Sequence, residues 1–95
     1  MSDTLPVRVE VLREAERLTT TERAAQYGPP SENFSRIAGY WNHYLRDHPL
    51  PLQPSDIAMM MVFLKIAREA QGFKLDSSVD ACGYMAIYAE LASDQ

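Results

Sequence analysis

This 95-residue chain has one cysteine, two histidines, four glycines and no basic excess, and each shortage closes off a class of protein. With Cys82 alone, no internal disulfide can form, and nothing points to an oxidising compartment. His43 and His48 have no partners at ligand spacing and read as exposed, so a zinc site is not expected. There is no glycine-rich phosphate loop, no nucleophile elbow and no HExxH, which argues against hydrolysis by a side-chain nucleophile. The net charge of −4 offers nothing to a nucleic-acid backbone or an anionic membrane. No apolar run is long enough to span a bilayer, and Met1-Ser2-Asp3-Thr4 does not open a signal peptide. The expected setting is the cytoplasm. No segment alternates with a two-residue period, so no sheet is expected.

What is present is helical. The length suits one domain, 1–95, with residues 1–6 and 93–95 expected as flexible ends. Proline- and glycine-bearing breaks at Gly28-Pro29-Pro30, His48-Pro49-Leu50-Pro51 and Gln71-Gly72 divide it into four helices. These cover approximately 7–25, 31–47, 54–71 and 76–92, an all-α fold read as a compact bundle with short connections. The first carries an apolar stripe of Val11, Ala15 and Leu18 opposite a charged face of Glu10, Arg13, Glu14, Glu16 and Arg17.

The segment from Ile57 to Leu64 has no polar residue and is apolar around its whole circumference, as expected of a helix wrapped by neighbours. At helical spacing Ile57, Met61, Leu64 and Arg68 share a stripe, which aims Arg68 inward, with Lys65 near its edge. On the second helix Asn33, Ile37, Tyr40 and Tyr44 share a face, with Glu32 beside them. On the fourth, Asp80, Tyr84, Ile87 and Leu91 do so, with Asp76 one turn earlier. A buried cation is costly unless anions meet it. The inward polar set is therefore Glu32, Asn33, Lys65, Arg68, Asp76 and Asp80.

The same residues have plainer explanations. Asp56, Glu32 and Asp80 each fall near the third position of a helix, where an acid caps backbone N–H groups. The consecutive Met59, Met60 and Met61 fit core filling better than a binding surface, and Cys82 a small buried hydrophobe.

Several stretches carry a resemblance. They are Tyr27-Gly28-Pro29-Pro30-Ser31-Glu32-Asn33-Phe34, Arg36-Ile37-Ala38 with Trp41, Pro54-Ser55-Asp56-Ile57-Ala58, Leu64-Lys65-Ile66-Ala67-Arg68, Asp76-Ser77, and Asp80 with Gly83-Tyr84. Over roughly residues 10–92 the chain resembles a family of small proteins of unknown function encoded mainly by bacteriophages and prophages. A phage origin would place it in the host cytoplasm.

A weaker similarity runs to MazG-like all-α nucleotide pyrophosphatases, which hold Mg²⁺ with paired acids on two helices. Their full four-acid pattern is absent here. That likeness implies Glu32, Asp76 and Asp80 as metal ligands for Mg²⁺, and Lys65 and Arg68 as catalytic cations on phosphoryl oxygens. It also implies Tyr27 and Asn33 as contacts to base or sugar, in a pocket between the second, third and fourth helices.

Three functions stand open. The chain could hydrolyse nucleotides with Mg²⁺, bind a nucleotide or other small anion without chemistry, or act as a protein-interaction module whose polar cluster is structural. A homodimer or larger homo-oligomer is expected, because the apolar side chains exceed what a small core needs.

Overall fold

Proline sets the start of two of the four helices. A computed structural model describes residues 5–22, 28–47 and 49–93. Helix α1 spans Val7–Arg17 and continues as a π-helical segment, Leu18–Glu22; α2 spans Pro30–Tyr44; α3 spans Pro54–Arg68 and ends in a 3₁₀ turn, Glu69–Gln71; α4 spans Leu75–Ser93. No strand occurs among the described residues. The all-α reading and its four helices hold.

Pro30 and Pro54 occupy first-turn positions, where the missing N–H has no partner to lose. Gln53 and Asp56 form a reciprocal capping box at the start of α3, in which the Gln53 amide donates to Asp56 Oδ2 at 2.8 Å. Capping is therefore the role of Asp56. After α3 the chain turns at Gly72, whose φ of 125° is open to glycine and strained for other residues. The Lys74 amide donates to Glu69 Oε2 at 3.2 Å across this turn.

Thr19, Thr20 and Thr21 account for the π segment. Each hydroxyl donates to the carbonyl four residues back, those of Ala15, Glu16 and Arg17. Such back-bonding competes with the regular helical ladder and bends it.

The most extensive contact is α3 on α4, followed by α1 on α4 and α2 on α3. The spatial order is thus α2–α3–α4–α1, with extents of 58 × 30 × 23 Å. One core joins α2, α3 and α4: Phe34 and Ala38, Ile57 and Ala58, Ile87 and Leu91. Phe34 and Ile57 are its largest fully buried side chains, each contributing roughly 1.5–3 kcal/mol by leaving water. Phe34 also meets Tyr84 at a ring-centroid distance of 6.1 Å. At the α1 edge, Ala15 is buried and Thr19 closes on Gly83, where a Cβ would stand 3.2 Å from Thr19 Cγ2.

Candidate functional site

The buried face of α3 differs from the expected one. Ala58 and Val62 are buried and Lys65 is half-buried, a stripe at i, i+4 and i+7 that faces α4. Ile57 is buried as expected, but Leu64 and Arg68 are exposed. Arg68 does not point into the core, and it makes no ion pair with a described acid. The physical reason lies in the segment itself. Because Ile57–Leu64 is apolar all round, its pattern does not single out one inward face, and the neighbouring helices choose it.

Lys65 takes the place expected of Arg68. Its Nζ lies 3.1 Å from Asp80 Oδ2, with side-chain exposures of 13% and 35%. Asp80 thus faces α3 as its stripe predicted, and it pairs with Lys65 six positions into α4 rather than capping that helix. Asp76, itself exposed on the first turn of α4, makes no ion pair with a described residue.

On α2 the inward stripe is Phe34, Ala38 and Trp41, with Ile37 partly buried; the expected face containing Tyr40 and Tyr44 turns outward instead. Glu32 is exposed, and Asn33 is half-buried with Oδ1 accepting from Arg36 Nη1 at 3.4 Å. Tyr27 lies outside the described residues. Of the six polar residues expected to converge, the fold brings together Lys65 and Asp80.

Glu32, Asp76 and Asp80 do not gather, and no group of three or more metal-ligating side chains forms among the described residues. The space expected to be a pocket between α2, α3 and α4 is filled by the apolar core. No buried side-chain nitrogen or oxygen among the described residues lacks a hydrogen-bond partner, so none is left for a ligand to satisfy. Among those residues no helix is long and apolar enough to cross a membrane.

What the fold presents outward is apolar. On α3, Phe63 is 62% exposed and Ile66 55%, with Met60 and Leu64 also exposed. Met60, Phe63 and Ala67 lie at i, i+3 and i+7, one continuous outer stripe. It borders an open groove of about 440 Å³ lined by Trp41, Tyr44, Leu45 and Met60. Of Met59, Met60, Met61 and Met85, none is buried; all lie at the margin of the core or outside it. The core-filler reading therefore fails for Met60, while Met59 and Met61 are half-buried. Cys82 is half-buried.

Sequence reasoning also missed Asn42. Its Nδ2 donates to the Leu52 carbonyl at 3.1 Å, and its Oδ1 accepts from the Leu52 amide at 2.7 Å. This pairing fastens the proline-rich connection to α2 and seats Leu52 against the core. A lone asparagine in a helix gives no local sign of a bond spanning ten residues.

A family described as a domain of unknown function (DUF6378) matches residues 10–92. The chain belongs to that family. It is 37% identical over 84 residues to the Gene 55 protein of Mycobacterium phage L5, covering 87% of this chain and 53% of that relative. It is 40% identical over 75 residues to the Gene 55 protein of Mycobacterium phage D29, covering 78% of this chain and 48% of the relative. The chain therefore spans about half the length of the curated relatives it matches. No solved structure matches it. The phage-family resemblance stands, and nothing in these matches bears on the likeness to MazG-like pyrophosphatases.

Proposed function

We propose that this domain is a protein-interaction module, with the outer face of α3 and the adjoining groove as its docking surface and the Lys65–Asp80 pair as part of its architecture. The observation that carries this reading is the exposed stripe of Met60, Phe63 and Ala67, flanked by Leu64 and Ile66. A helix apolar around its circumference is normally covered on all sides. Here α3 is covered by α2 and α4 while its remaining face stays exposed, and an exposed apolar surface rimmed by polar residues marks an interaction site. Exposed methionines suit that role, because an unbranched thioether adapts to the shape that meets it.

The nucleotide reading has less to stand on. Lys65 is already neutralised by Asp80, while Arg68, Asp76 and Glu32 point to solvent apart from one another. Phosphate recognition works best with convergent donors, and the groove beside α3 is lined by four largely apolar side chains.

The test is a binding comparison using the whole chain as bait. Phe63→Asp should abolish association with any protein partner, including another copy, while Lys65→Met combined with Asp80→Leu should keep it. Association that ignores Phe63 but vanishes with the Lys65/Asp80 change would overturn the reading.

A further inference from the structure

We infer that the occupant of this surface is a second copy of the chain, bound about a two-fold axis with α3 antiparallel to its counterpart. The inference rests on the interaction-module reading and deepens it by naming the partner.

Three observations carry it. First, Met60, Phe63, Leu64 and Ile66 of α3 are all exposed, and Met60 also lines the groove of Trp41, Tyr44 and Leu45, an apolar patch of the kind that marks an association surface.

Second, the surface holds a projection and a recess side by side. Phe63 stands out from α3, and the groove of Trp41, Tyr44, Leu45 and Met60 opens next to it, sharing Met60 with the stripe. A two-fold contact requires such a self-complementary patch, in which residue i meets residue j and j meets i. Phe63 of each copy then enters the groove of the other, where it meets the Trp41 ring and the Met60 thioether. Aromatic anchors of this kind carry most of the energy of an interface.

Third, the exposed charges flanking the stripe fix its direction. Asp56 stands at the start of α3 and Arg68 at its end, both exposed. Their midpoint along the helix is the level of Val62, within the span of the stripe from Met60 to Ala67. A two-fold axis at that level brings the Asp56 end of one helix beside the Arg68 end of the other. A parallel pairing would set acid beside acid and base beside base, which like-charge repulsion disfavours.

Light scattering and sedimentation at micromolar concentration read the mass directly, and Trp41, the single tryptophan of the chain, reports on the groove. The wild-type chain should be a dimer whose tryptophan emission shifts to the red on dilution. Phe63→Asp should weaken it about thirtyfold or more, the effect of losing an interface anchor. Met60→Lys is the second variant, and Arg68→Glu should weaken the dimer less. Because Phe63 and Met60 are exposed in the monomer, circular dichroism should show each variant folded.

A wild-type chain that stays monomeric, or a dimer indifferent to both Phe63→Asp and Met60→Lys, would overturn the inference. A monomer that still captures another protein in a Phe63-dependent way would overturn it while leaving the interaction-module reading intact. A monomer with no Phe63-dependent capture would remove both.

Discussion

Lys65 Nζ lies 3.1 Å from Asp80 Oδ2, tying the last turn of α3 to the second turn of α4. The lysine side chain is the more sheltered partner and the aspartate side chain the wetter one. That asymmetry suits a lysine whose stem packs between helices while the acid remains accessible to water.

Removing one member should expose the cost of stranding the other. Lys65→Met is expected to destabilise by about 1–3 kcal/mol, between a surface pair and a fully buried one. Arg68→Met should change stability by no more than about 0.5 kcal/mol, as for an exposed side chain. Lys65→Met with Asp80→Leu should recover most of the loss, because apolar packing can replace an ion pair. Urea denaturation of the four proteins checks this. A larger loss from Arg68→Met than from Lys65→Met would contradict the placement of both residues.

Asn42→Ala should loosen the connection between α2 and α3. Two hydrogen bonds to Leu52 disappear and its backbone groups lose their protein partner, at an expected cost of about 1–3 kcal/mol. Hydrogen exchange at the Leu52 amide should accelerate along with the drop in stability. An unchanged exchange rate would mean that the loop is held by something else.

Gly83 is a test of how closely the π segment approaches α4. Gly83→Ala gains helix propensity of about 1 kcal/mol, while the new Cβ presses on Thr19 at 3.2 Å. The two effects should nearly cancel. Gly83→Leu should instead cost about 1–3 kcal/mol through overpacking, and Thr19→Ala should relieve part of that. Thermal melts distinguish these outcomes; equal stability of the alanine and leucine variants would refute the close approach.

Glu14 offers a pH-dependent check on α1. The Arg17 guanidinium donates to its carboxylate, with Nε 2.9 Å from Oε1, and this hydrogen bond holds the carboxyl below the usual glutamate range. A depressed value means the pairing is present above the ordinary glutamate range and is lost as pH falls through the lowered one. Carbon-detected NMR titration should place Glu14 below the ordinary glutamate range, and Arg17→Ala should raise it to that range. Because the pair is exposed, the melting temperature should hardly move.

Deoxynucleoside triphosphates incubated with the chain and Mg²⁺ should release no pyrophosphate above a blank, since the acids at 32, 76 and 80 stand apart. Release that is lost in Asp80→Asn would revive metal-dependent hydrolysis as the function.

The helix boundaries were legible because their causes are local. Pro30, Pro54 and Gly72 act through their own backbone angles, and the Gln53–Asp56 box spans four residues. Asp80 was also legible, since Ile87 and Leu91 mark the inward face of α4. The α2 face was misjudged by following Asn33, Tyr40 and Tyr44. Phe34, Ala38 and Trp41 form an equally regular stripe, and it is this one that meets α3.

The sequence by itself determined an all-α chain of four helices, where most of them begin, and that α3 is apolar around its circumference, though it placed the end of α2 near residue 47 where the helix stops at Tyr44. Only the tertiary structure decided which side of α3 faces in. An all-round apolar helix has no preferred face of its own, so its orientation comes from the shapes of α2 and α4. That choice gave Asp80 to Lys65, sent Arg68 to solvent and left Phe63 standing outside the core.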